Sequence, residues 1–161
     1  HKPVNPGGDL THYVPYFYPL DAIRHWNRIY GKAGFYQYQC VLPPETAQTA
    51  VDELLKSIAH FKQGSFLAVL KTFGAQPSAG MLSFPRPGAT LALDFPDRGA
   101  RTQRLFEVLD RVVSEAGGAL YPAKDARMPG WLFRQGYPEW DAFSEFVDPQ
   151  LTSNFWRRVT Q

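Results

Sequence analysis

The chain has 161 residues, 44% apolar, 15% aromatic and 20% charged, which is enough apolar surface to bury one core and too little net charge for a disordered chain. Lys and Arg number 17 against 15 Asp and Glu, and this balance of +2 is too weak and too evenly spread for a nucleic-acid or anionic-membrane footprint. No run approaches the roughly 18 apolar residues of a membrane span. The one cysteine, Cys40, excludes an internal disulfide framework or a multi-thiolate metal site, and His1, His12, His25 and His60 show no ligand spacing. These features predict a soluble, cytoplasmic protein without metal, nucleic-acid or membrane-span partners. Because the chain opens on His1 rather than Met, it reads as a piece of something longer.

Residues 1 to 20 hold four prolines and two glycines among aromatics, a composition that predicts an extended arm without regular helix. From Asp21, a candidate N-cap, DAIRHWNRIYG places Ala22, Ile23, Trp26, Ile29 and Tyr30 at helical spacing before Gly31, predicting a short helix. Residues 34 to 42 alternate Tyr36, Tyr38, Cys40 and Leu42 against Phe35, Gln37, Gln39 and Val41, a strand with one polar-bearing face that Pro43 and Pro44 end. Ala47, Val51, Leu54, Leu55, Ile58 and Phe61 then recur at helical period up to Gly64. The strand expected at 66 to 74, FLAVLKTFG, is too apolar for exposure on either side, with Lys71 sharing a face with Leu67, Val69 and Phe73.

After a proline-containing loop, GATLALDFP alternates Leu91, Leu93 and Phe95 against Thr90, Ala92 and Asp94, and Pro96 closes this third strand. Residues 101 to 116 set Leu105, Val108, Leu109, Val112, Val113 and Ala116 on one helical face, and a short strand follows through Ala119, Leu120 and Tyr121. The order β-α-β-β-α-β predicts an α+β, ferredoxin-like antiparallel sheet with both helices on one face, and residues 122 to 161 add a C-terminal helical extension. The domain reading is an arm over 1 to 20 and one folded domain over 21 to 161.

With the helices on one face, function is expected on the other, and parity decides which side chains stand there. If Tyr36, Tyr38, Leu42, Phe66, Leu70, Leu91 and Leu93 face the helices, then Gln37, Gln39, Lys71, Thr90 and Asp94 face away, among Phe35, Val41, Val69 and Phe73. An apolar floor with a few polar groups suits a small-molecule site, and an ordinary solvated sheet face is the competing reading. The surplus of apolar residues favours the first, because that surface hydrates poorly unless something covers it. Cys40 reads as a packed, inert thiol, Gly117-Gly118 as a helix stop, and Glu139, Asp141 and Glu145 as a solvated face.

Four segments in this order, FYPLDAIRHWNRIYGKAGFYQYQCVLP, FLAVLKTFG, LSFPRPGATLALDFP and GGALYPAKDAR, resemble the C-terminal substrate-binding cap of FAD-linked oxidases of the vanillyl-alcohol oxidase superfamily. The resemblance runs from about Phe17 to Pro149. It implies a separate FAD-binding domain outside these residues and an α+β cap whose sheet faces the isoalloxazine. It further implies that Gln39 and Lys71, with Thr90 and Ala92 on the neighbouring strand, line a substrate pocket, to which Gln37 belongs by its place on the same face. Lys124 of YPAKD would stand beside flavin and substrate as the catalytic and cofactor-binding lysine, with Tyr121 close by. Thr90, Ala92 and Tyr18, the last in place of a histidine before PLD, depart from the family's usual residues.

The function so implied is oxidation of a secondary alcohol of a sugar or sugar-like substrate by hydride transfer to FAD. Its partners would be that alcohol and the FAD-binding domain, with self-association through the exposed sheet face. A free-standing ferredoxin-like binding or interaction module without catalysis is the alternative.

Overall fold

The computed structural model describes residues 10–161, so the expectation for residues 1–9 lies outside it. The chain divides into two compact units, His1–Lys32 and Ala33–Gln161.

In the first unit a short helix α1, Tyr13–Phe17, is followed by 3-10 turns at Pro19–Ala22 and Trp26–Tyr30. The expectation of no regular helix before residue 21 therefore fails at α1. Pro15 sits in the first turn, where its missing N–H would have no intrahelical partner, and the His12 ring caps the helix by accepting from Val14 N–H. The continuous helix expected from Asp21 to Gly31 is also corrected. His25 adopts a left-handed φ of 57° and separates the two turns, with Gly31 ending the second at φ 72°.

The second unit has the predicted order: β1 (Phe35–Leu42), α2 (Ala47–His60), β2 (Ala68–Phe73), β3 (Gly88–Pro96), α3 (Ala100–Glu115) and β4 (Ala119–Leu120). The four strands pair antiparallel in the order β2-β3-β1-β4. Helix α2 buries Ala50, Leu54 and Ile58, one turn apart, and α3 buries Leu105, Phe106, Leu109 and Val113. Both stripes close on the same sheet face, where Tyr38, Cys40, Leu42, Leu91, Leu93 and Phe95 are buried. Phe106 is the hub of that layer, with ring centroids 5.7 Å from Tyr36, 5.4 Å from Tyr38 and 5.5 Å from Phe95. The fold is thus the expected α+β sheet with its helices on one face.

Two expectations about apolar surface are corrected. Strand β2 is an edge strand and lies largely open, with Leu70 59% exposed and Phe66, which the strand as formed leaves out, 54%, because α2 packs chiefly on β3 and α3 rather than out over β2. On the opposite face Val41 is 1% exposed and belongs to the core, although exposure was expected. That end of the sheet is roofed from within the chain: Phe84, buried in the loop before β3, stacks on Tyr121 at 4.4 Å and meets Phe73 edge-on at 5.9 Å.

The C-terminal extension forms α4 (Gly130–Gly136), α5 (Trp140–Ser144) and α6 (Asn154–Thr160). Helix α4 packs on β4, α3 and α6 and so covers the sheet edge that β4 would otherwise expose. Tyr137 fixes this cover by donating its hydroxyl to the Leu120 carbonyl at 2.6 Å. Among the described residues no helix is long and apolar enough to cross a membrane.

Candidate functional site

Register sets the face of every strand residue. Gln37 stands opposite Asp94, Gln39 opposite Ala92 and Val41 opposite Thr90, while across the other side of β3 Val69 pairs with Ala92 and Lys71 with Thr90. Cross-strand partners share a face, so Gln37, Gln39, Lys71, Thr90 and Asp94 all project away from the helices. An open recess of about 200 Å³ on that face is lined by Gln37, Gln39, Val69, Lys71, Thr90, Ala92 and Lys124. Six of the seven site residues expected from the sequence meet there. The seventh, Tyr121, lies on the same side of the sheet but packs against Phe84 and is not part of the lining.

The polar groups have defined tasks. Gln37 donates its Nε2 to Asp94 Oδ1 at 2.9 Å, and Gln39 donates its Nε2 to Thr90 Oγ1 at 3.2 Å. Asp94 and Thr90 are buried beneath these amides. A carboxylate can only accept, so Gln37 must turn its NH2 to Asp94, and its Oε1 is left as an acceptor. The two lysines are exposed, and neither takes part in a salt bridge among the described residues. In particular Lys124 does not pair with its neighbour Asp125, whose carboxylate is held instead by Arg158 and by the Met128 N–H at 2.8 Å. The recess therefore presents amide acceptors and two cationic donors over an apolar floor of Val69 and Ala92, a set suited to a polyhydroxylated molecule. Among the described residues no carboxylate or imidazole lines it.

Lys124 closes the 3-10 turn Pro122–Lys124 that follows β4, and the Tyr121 N–H donating to the Gln39 carbonyl at 2.9 Å docks that turn on β1. Just beyond it, Arg127 reaches around the edge of β1 to the helix side of the sheet. There its two terminal nitrogens donate to the two oxygens of Asp110 on α3, both at 2.7 Å, while the guanidinium lies 4.9 Å from the Phe106 ring centroid. The Tyr38 hydroxyl donates to the same carboxylate at 3.2 Å. Sequence reasoning missed this buried triad, as it missed Phe84. The available signal was Asp110 itself, a carboxylate one residue from Leu109 on the apolar stripe of α3.

Cys40 is fully buried among the core residues, and burial pushes its thiol up to about 12. Burial first, then the negative charge of Asp110, raises the Tyr38 hydroxyl well above its ordinary value as well. Both groups are held neutral. Their contribution to stability is therefore complete below the unfolded values, 9.0 for the thiol and 10.0 for the phenol, and is lost as pH rises through the folded ones. Native protein at pH 8 should resist alkylation of Cys40 by iodoacetamide and react fully in urea. Equal labelling rates in the two conditions would contradict this placement.

No family model matches the chain. Among curated proteins it is 43% identical over 152 residues to decaprenylphosphoryl-beta-D-ribose oxidase of Mycolicibacterium smegmatis, a match covering 89% of this chain and 32% of the relative. It is also 33% identical over 131 residues to an uncharacterized protein in the mprA 5' region of Streptomyces coelicolor, covering 78% of this chain and 35% of that one. The chain spans about a third of the length of these relatives. The resemblance read from its four motifs thus holds as homology to about a third of that oxidase, in keeping with the C-terminal portion of an FAD-linked one. The alternative of a free-standing binding module is not favoured by such a match.

Proposed function

We propose that residues 21 to 161 form the substrate-binding cap of an FAD-dependent oxidoreductase that oxidises a secondary alcohol of a sugar or sugar-like molecule. The observation that carries this reading is the convergence of Gln37, Gln39, Lys71, Thr90, Ala92 and Lys124 on one open recess, in a chain homologous to an oxidase. FAD, when bound, accepts the hydride. The chain's own residues suit the ring end of such a cofactor, since Lys124 offers at the recess, where negative charge would gather, a cation with no salt bridge among the described residues. Nothing in the sequence suits its pyrophosphate, for which no glycine-rich loop is present, and an FAD-binding domain outside these residues would supply that cradle.

Within this scheme Gln37 and Gln39 accept from substrate hydroxyls through their amide oxygens, each amide being held by its bond to Asp94 or Thr90. Lys71 donates from the β2 side. Val69 and Ala92 give the sugar ring an apolar floor, and Tyr121 buttresses the turn that carries Lys124 by accepting from the Lys124 N–H through its carbonyl. The residues that line the recess bind and orient the alcohol. Self-association through the same face would then compete with the flavin domain for one surface.

The reading is tested by filling the recess. In a flavoenzyme carrying this chain, Ala92→Phe should lower kcat/KM by about 10- to 100-fold, the range expected when 1–3 kcal/mol of overpacking is met on substrate entry. The FAD spectrum should be unchanged. Full activity in that variant would remove the recess from the substrate path.

A further inference from the structure

We propose that Asp110 and Arg127 form a positioning pair that holds Lys124 over the recess, acting from the opposite side of the sheet; the inference rests on the reading of Lys124 given above. Neither residue lines the recess itself. Lys124 is exposed, and among the described residues its side chain has no salt-bridge partner that would fix it. Its place is therefore set by its backbone, and the backbone of the segment from Tyr121 to Met128 is tied down on both sides of Lys124. Before it, the Tyr121 N–H is bonded to β1, and the Lys124 N–H donates to the Tyr121 carbonyl at 3.0 Å. After it, Asp125 accepts from the Met128 N–H and from Arg158.

These ties are local or peripheral; among the described residues Met128 packs the end of the segment into the core, and Arg127 gives it its side-chain hydrogen bonds to the helix layer. Its fork occupies both oxygens of a carboxylate whose side chain is only 3% exposed, a geometry that admits one arrangement of the two backbones rather than a family of them. The Tyr38 hydroxyl, from β1 between Gln37 and Gln39, completes the carboxylate's partners. One network thus references the strand that carries the two glutamines and the turn that carries the lysine to a common point. A buried ion pair is a poor way to gain stability compared with apolar side chains of the same volume, and fixing a unique geometry is the better-attested use of one. Here the geometry fixed is the separation between the amide wall of the recess and its cation.

Two variants test the proposal. Arg127→Lys keeps the charge and loses the fork. The triple variant Tyr38→Phe, Asp110→Leu, Arg127→Met removes the network as a unit and leaves no buried polar group without a partner. In both, amide exchange across residues 122 to 126 should accelerate at least about tenfold, while exchange in β1 and β3 changes by less than about twofold. Unchanged exchange in 122 to 126, or equal acceleration across the sheet, would overturn the proposal, the second by making the pair an ordinary stability element.

A double-mutant cycle in the flavin-loaded enzyme supplies the second readout. Arg127→Lys should slow flavin reduction when Lys124 is present and add nothing in a Lys124→Ala background. A slowing of equal size in both backgrounds would also overturn it. If Lys124→Ala alone leaves reduction untouched while the local exchange still rises, the positioning of the segment stands and the reading of Lys124 as the catalytic lysine is what fails.

Discussion

Arg127→Met is expected to lower the free energy of unfolding by about 3–5 kcal/mol, the cost of stranding a buried carboxylate without its counter-ion. Asp110 lies at the helix–sheet interface with 2% of its surface exposed, and without the guanidinium it would keep only the Tyr38 hydroxyl. The methionine retains the stem against Phe106, so the loss is electrostatic rather than a cavity effect. Replacing the whole network by Tyr38→Phe, Asp110→Leu and Arg127→Met should recover most of this loss, because no charge is then left to desolvate. Urea denaturation of the single and triple variants measures both values. A triple variant less stable than Arg127→Met would show that the network contributes net stability, contrary to this account.

A loss of similar size is expected from a site with no polar chemistry. Gly88 opens β3 at φ 142°, and a Cβ built there would lie 2.0 Å from the Leu42 carbonyl oxygen and 3.4 Å from the Pro43 Cα. Both neighbours are backbone of the paired strand and its proline stop, so neither can swing aside. Gly88→Ala combines strain in a region of φ reserved for glycine with forced separation of β1 and β3, together about 4 kcal/mol. Since that pairing also sets Gln37 opposite Asp94 and Gln39 opposite Ala92, the recess should open with it. Gly64→Ala, where a Cβ meets nothing within 4 Å, is the control and should change stability by under about 1 kcal/mol. Thermal melts of the two variants check the contrast, and equal melting temperatures would refute the close approach at Gly88.

The parts of this molecule that were legible in its sequence are those governed by short-range periodicity. Period-two alternation in 35 to 42 and 88 to 96 fixed which residues share a face, and that alone assembled Gln37, Gln39, Thr90 and Asp94. Lys71 joined them because β2 pairs with β3 in the register that parity requires. Long-range packing was not legible. Leu70 alternates like a core residue, yet it is exposed, because edge position is decided by how far two helices reach across four strands. Phe84 sits in a proline-rich loop with no periodicity, and nothing local announces that it folds back onto Tyr121. On α3 the expected apolar face included Val108 and Val112, whereas the buried face is rotated toward Phe106 and Asp110, pulled round by the aromatic cluster of β1 and by Arg127. The break at His25 likewise needs a left-handed residue that helical spacing does not reveal.

Lys124 offers the most direct test of this chemistry, since from the turn after β4 it brings to the recess a cation that takes part in no salt bridge among the described residues. Stopped-flow reduction of the flavin in a complete enzyme carrying this chain, with and without Lys124→Ala, is the deciding measurement. The variant should bind FAD and fold as before and reduce it at least about tenfold more slowly, which corresponds to ~1.4 kcal/mol of lost transition-state stabilisation. An unchanged reduction rate in a Lys124→Ala enzyme that still holds its FAD would contradict the account.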